Sequence, residues 1–384
     1  MVVTYPPTSG ILDSCNNNNI TDTMIETLLH RTLAATLTLI CAVTAHATAG
    51  PLTTDSTLVG RPYKQFDVMA YCSYSSFYPS QYLTDNNWDI LCAFTTPGTT
   101  ARLDSLGISH TRSQLRLLEV GDLLRRTNDG IYSTSMHIFD KEQTEAIREE
   151  SRLFTDSIFP LISPDINKLI TAFNAGGHQP QAYSLIFSYL LDSYIWSDTK
   201  LPLAKRLSNH GTWDGAYWAM YDKRGQSKIG TNGYGPVKVT WTDDLGYWPG
   251  DNLLINLARH INGSGIVVTD TVLNSTLTKW GLTDTDGNLN VPILHPGSGD
   301  EIDRLCDSIT LTISDAVKNH CTSFAEKYDI ESPLEAEVIF YHEVMWDILA
   351  TLEANHLITR PEILKGAETG RERFSDIMYI VIQS

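Results

Sequence analysis

"SHTRSQLRLLEVGDLLRRTNDGIYSTSMHIF", residues 109–139, changes its periodicity at a single glycine. Up to Val120 the apolar residues recur at helical spacing, with Leu115 and Leu118 on one face, and Gly121 stops the helix. Ser109 is placed to cap it. Beyond Gly121, residues 122–139 alternate along a hairpin whose turn is Asp129–Gly130, a dipeptide suited to positive φ. Upstream, "WDILCAF" (88–94) and "TTARLDSL" (99–106) read as two short helices.

Three helices followed by a hairpin resemble a winged helix, with Leu115, Leu118, Leu123, Ile131 and Ile138 as its small core. The resemblance implies a recognition helix, and Arg112, Arg116, Arg125 and Arg126 are its candidate DNA contacts. Asp104, Glu119 and Asp122 interleave with them, and the whole chain carries a formal charge of −17. That balance opposes the phosphate backbone, so nucleic acid is disfavoured as a partner.

After the hairpin, a helix with a stripe at Ile147, Phe154, Ile158 and Leu161 is expected to break at Pro160 and Pro164 and resume over 165–175. "AYSLIFSYLLDSYIW" (182–196), apolar on nearly every side, predicts a buried helix. A second copy of the pattern starts near Ile266: a helix over 269–281, a hairpin over 282–294 with Asp286–Gly287 as its turn, and a long helix over 300–328. Ser332, Pro333 and Glu335 mark a capped start for the next helix, and "IMYIVI" is a final strand.

These elements divide the chain into a leader (1–49), a polar and aromatic segment (50–86), a winged-helix-like unit with long helices (87–196), an aromatic insert (197–265) and a second such unit (266–384). The expected class is α+β, mainly helical with small β elements: two winged-helix-like units joined by an aromatic-rich β insert. Within the leader, residues 24–49 have an uncharged apolar centre and end in Ala47-Thr48-Ala49, the grammar of a signal peptide. A periplasmic or extracellular location follows, with membrane contact only through an uncleaved leader. Loss of residues 1–49 removes three acids and one base, so the mature chain stays near −15.

Cys306 and Cys321 share one expected helix, about 22 Å apart along its axis. A disulfide needs Cα atoms within about 7 Å, which leaves Cys72–Cys92 as the open pairing. No cysteine spacing suits zinc. "HEVMW" (342–346) has Trp346 where a zinc-protease helix carries its second histidine, so His342 reads as a core residue. No phosphate loop, dinucleotide fingerprint or nucleophile elbow occurs, and neither metal nor cofactor is expected.

Five of the eight tryptophans fall between Trp196 and Trp248. The candidate ligand residues are Trp213, Asp214, Tyr217, Trp218, Tyr221, Trp241, Asp243, Asp244 and Trp248. Aromatic faces beside carboxylates suit sugar rings, peptide side chains or cationic groups. The leading expectation is an exported, non-enzymatic binding protein whose partner is a protein, peptide or glycan. The alternatives are a winged-helix transcriptional regulator and a secreted hydrolase pairing Asp214 with Asp243 or Asp244.

Overall fold

The computed structural model describes residues 55–72, 78–196, 213, 216–225, 228–366 and 370–382. The expected signal peptide and Asp214 lie outside these residues. The described chain is a mixed α+β protein, largely helical with three small sheets.

After α1 (Asp55–Leu58) and β1 (Phe66–Cys72) come α2 (Asn87–Ala93), α3 (Ala101–Ser105) and α4 (Arg112–Val120). A hairpin of β2 (Leu124–Arg126) and β3 (Tyr132–Thr134) follows, with Gly130 at φ 80° in its turn. The cap of α4 is Thr111, not Ser109: its hydroxyl accepts from the Gln114 amide, and the Gln114 side chain accepts from the Thr111 amide. Only Thr111 has a glutamine three residues on to close this box. Leu115, Leu118, Leu123 and Ile138 are buried, whereas Ile131 is half-buried and Tyr132 turns inward in its place.

β4 (His137–Ile138) leads into α5 (Lys141–Ala175), which runs on through both Pro160 and Pro164 where two helices were expected. Both prolines are exposed, and the buried series Ile158, Ile162, Ile166 and Leu169 passes beneath them without a gap. The carbonyls that lose an amide donor belong to Asp156 and Pro160, themselves exposed, so water satisfies them. Leu161, expected on the stripe, is exposed, and Ile162 takes its place. Next, α6 begins at Ala182–Ser184 and continues over Leu185–Tyr194 as a π-helix, buried as expected but wider than an α-helix.

The remaining elements are β5 (Ala216–Asp222), β6 (Ile229–Tyr234), β7 (Val237–Thr242), α7 (Asp251–Ser264), α8 (Thr271–Thr278), β8 (Ile293–Leu294), α9 (Glu301–Lys327), α10 (Pro333–Ala354) and β9 (Met378–Val381). Ser332 caps α10 by accepting from the Leu334 amide, while Glu335 faces His137 at 3.5 Å instead of closing a capping box. The aromatic stretch is not a separate β insert. β5 is the central strand of the sheet β1-β5-β4, whereas β6 and β7 belong to the sheet β6-β7-β9-β8. "AYWAMYD" is apolar at successive positions, so both of its faces need cover and a central place suits it.

The two sheets repeat one arrangement. β1 is antiparallel to β5, which is parallel to β4; β7 is antiparallel to β9, which is parallel to β8. Local hydrogen bonds repeat as well. The Leu123 amide donates to the Leu118 carbonyl at 3.0 Å, and Leu282 to Leu277 at 3.1 Å, each closing the helix before a hairpin. In the turns, Gly130 donates to Thr127 and Gly287 to Asp284. Asp140 caps α5 and Asp300 caps α9, each accepting from the amide three residues on. The second hairpin, however, shrinks to one bridge, Thr283–Leu289.

Helices α5, α9 and α10 pack against one another. His320 stacks on Phe340 at 4.5 Å, and Glu150 of α5 takes hydrogen bonds from Lys327 and Tyr328, with His320 at 2.8 Å. Cys92 is a buried free thiol, which closes the pairing left open by the sequence, and Cys306 and Cys321 are buried along α9. No described helix is long and apolar enough to cross a membrane.

Candidate functional site

A cavity of about 1260 Å³ opens between the two sheets, walled by β1 and β5 on one side, β6 and β7 on another, and by the π-helical stretch and α10. Its ring-bearing walls are Trp218 and Tyr221 of β5, Trp241 of β7, Phe187 of the π-helix and Trp346 of α10. Phe187 and Trp346 stack at 5.5 Å, and Tyr78 leans on Trp218 at 5.4 Å. The Trp241 ring lies over Gly230, where a Cβ would stand 2.7 Å from its Cζ2.

Two indole donors in these walls have no partner. The indole N–H groups of Trp218 and Trp241 are both buried without an acceptor. Trp218 is 2% exposed, so bulk solvent does not serve it. A buried donor left unmade costs about 1–3 kcal/mol, and both nitrogens lie beneath the accessible surface of the wall.

The charged groups are mostly matched. Buried Glu343 is clamped by Arg224 and lies 3.5 Å from Arg148 Nε. Asp67 accepts from the Arg224 amide and pairs with Lys228 at 3.3 Å. Glu353 pairs with Arg360 at 3.1 Å. Asp347 accepts from Ser151 at 2.6 Å, and burial holds its carboxyl above the usual range against the pull of that hydroxyl and of Arg224 and Arg152. Asp192 has only the Thr231 hydroxyl. It is half-buried in the cavity wall, and desolvation pushes its pKa up to about 7. On the same wall, buried His342 donates from Nδ1 to the Val338 carbonyl at 2.7 Å. Burial lowers its pKa to about 4, so it is neutral.

The structure sorts the expected ligand residues into three groups. Trp218, Tyr221, Trp241 and Asp244 line the cavity. Trp213 and Tyr217 are core residues with no exposed surface, and Trp213 Nε1 donates to the Gly121 carbonyl at 3.0 Å, tying β5 to the end of α4. Tyr217 belongs to a strand apolar on both faces and Trp213 is buried just ahead of it, so neither presents a surface. Asp243 is exposed outside the cavity, and Trp248 donates to Asp251 at the start of α7 at 3.1 Å. Sequence reasoning missed Phe187, Asp192, Arg148, Arg224, Glu343 and Trp346. Asp192 had a signal, as the one charge within "AYSLIFSYLLDSYIW". Trp346 was met only as a departure from a zinc motif.

Of the expected DNA contacts, Arg112 and Arg116 flank a shallow surface groove with Ser113, Leu117 and Val120. Arg116 pairs with Glu119 at 2.8 Å, Arg125 with Glu331 at 2.8 Å, and Arg126 covers the Tyr132 ring at 5.5 Å. No His, Cys, Asp and Glu grouping among the described residues is placed to hold a metal ion. No family model, curated protein or solved structure matches the chain.

Proposed function

We propose that the protein is an exported, non-enzymatic binding protein that takes a small organic ligand into the cavity between its two sheets. The observation that carries this reading is a space of about 1260 Å³ whose walls carry the rings of Trp218, Tyr221, Trp241, Phe187 and Trp346. Pockets that bury small ligands have this make-up: apolar and aromatic walls, concave form and a few fixed polar groups. The scaffold is read as a tandem duplication of a winged-helix-like unit, supported by the matching strand directions, helix stops and turns. The ligand then sits where the two copies meet, away from either hairpin.

The reading is tested with Nile red, an uncharged dye whose emission rises in apolar surroundings. The parent protein is expected to bind it, and Trp346→Ala to lose most of that binding while keeping its melting temperature. Trp346 is half-buried and stacked only on the cavity side of α10, so its removal spares the core. A parent protein that leaves the dye dark, or a variant that binds it equally well, removes the basis for the proposal.

A further inference from the structure

We infer that the ligand is an organic cation, with Asp192 as its counter-ion and the tryptophan-lined walls as its enclosure. This rests on the cavity reading above and specifies the chemistry of its occupant.

The argument starts from what Asp192 lacks. Glu343, Asp67 and Glu353 each pair with an arginine or lysine, and Asp347 accepts from Ser151 with Arg224 and Arg152 nearby. Asp192 has one neutral donor, Thr231, and its other neighbours are the phenols Tyr341 and Tyr379. Even half-buried, a carboxylate without a cation is costly, and proteins retain one where something else supplies the charge. The backbone beneath it is also unusual. Leu185–Tyr194 is a ten-residue π-helix, a form that occurs mostly as single turns and often at functional sites. It sets Phe187 and Asp192 into the same cavity.

The rings supply the second half. Indole faces attract cations through their negative quadrupole, and the attraction grows when water is excluded. Trp218, Trp241 and Trp346 line the space into which Asp192 faces. A sugar or neutral peptide would leave Asp192 uncompensated, while an anion would oppose it.

Three dyes separate the possibilities: berberine, a planar permanent cation bearing ether oxygens; Nile red, neutral; and anilinonaphthalene sulfonate, an anion. Each is titrated at pH 8 into the full chain and into Asp192→Asn. The parent should bind berberine and reject the sulfonate, and Asp192→Asn should weaken berberine by about thirtyfold while Nile red binding stays within about twofold. Nile red bound equally by both proteins, with berberine ignored or indifferent to Asp192→Asn, overturns the cation assignment alone. Rejection of Nile red by the parent protein overturns the cavity reading and this inference with it. Melting curves of Asp192→Asn show whether it is folded.

Discussion

The Trp241 ring lies against Gly230 so closely that any side chain there would occupy its place: a Cβ would come within 2.7 Å of Cζ2 and 3.1 Å of Nε1. Both residues line the cavity, on the neighbouring strands β6 and β7. Gly230→Ala should therefore swing the indole out of position at a cost of about 1–3 kcal/mol, as overpacking does. Dye binding should weaken more than the melting temperature falls, because the displaced ring belongs to the cavity and not to the central core. Unchanged binding in a folded variant would show that Trp241 plays no part in the site.

Stability should also carry the mark of Asp192. Its pKa is about 7 in the folded chain, against roughly 3.9 for a free aspartate. The folded state thus holds a proton that the unfolded state releases, and the stability from that proton is complete below about pH 4. It is lost as pH rises through 7. Thr231 and the phenols of Tyr341 and Tyr379 are the facing groups, and none of them is a cation. Melting of the parent and of Asp192→Asn, compared from pH 4.5 to 8.5, should give a difference that grows with pH. It should reach on the order of 2 kcal/mol once the contact with cavity solvent is discounted. A difference that stays flat over that range contradicts the burial of this carboxylate.

The two hairpin turns should respond unequally to one substitution. Gly130 and Gly287 both have positive φ, 80° and 85°, so alanine is strained in each by about 1–2 kcal/mol. At Gly130 the nearest atom is Arg126 Nη2, at 3.9 Å from a built Cβ. At Gly287 it is the Val268 carbonyl oxygen at 2.2 Å, and the Val268 amide holds the Gly287 carbonyl at 2.8 Å, so the backbone cannot withdraw. Gly287→Ala should cost more than about 3 kcal/mol in thermal unfolding and Gly130→Ala only the strain. Equal losses would mean that the second turn is not packed on the Val268 backbone.

Nucleic acid should not be retained. Arg116 and Arg125 are committed to Glu119 and Glu331, and the chain's charge of −17 surrounds the small basic groove. Short duplex DNA at physiological salt should migrate unshifted with the protein, and Arg112→Glu should change nothing. A shifted band that weakens steeply with salt, and vanishes in Arg112→Glu, would restore the regulator reading.

Much of the order of elements was readable because it rests on local signals: Gly121 and Gly281 as stops, Asp–Gly turns, and aspartates at the starts of α5 and α9. The pairing of strands was not. β1 and β5 are separated by more than a hundred residues, and the apolar run of β5 asks for cover on both faces without naming the strands beside it. The cavity was half readable for the same reason. Trp218, Tyr221 and Trp241 stood out by composition, but Asp192 and Trp346 enter it only because α6 and α10 are packed beside those strands. The width of the π-helix, which turns Asp192 inward, has no period that apolar spacing reveals.

The prolines of α5 show most directly how packing overrides a local rule. Each removes one helical hydrogen bond and presses its ring on the preceding turn, at about 3 kcal/mol or more in a helix interior. Yet Lys141–Ala175 is one helix, since Ile158, Ile162, Ile166 and Leu169 are buried in a continuous line against α9 and α10. Replacing Pro160 or Pro164 by alanine should restore the missing bond on the exposed face without touching that line. The gain is reduced by the extra freedom that alanine gives the unfolded chain, roughly 0.4–1 kcal/mol. Each variant should then be more stable by about 2 kcal/mol. The pair should sum only partly, because Pro160 supplies the carbonyl that residue 164 would regain as partner. A loss of stability in both single variants would mean that the prolines hold a bend which the helix packing requires.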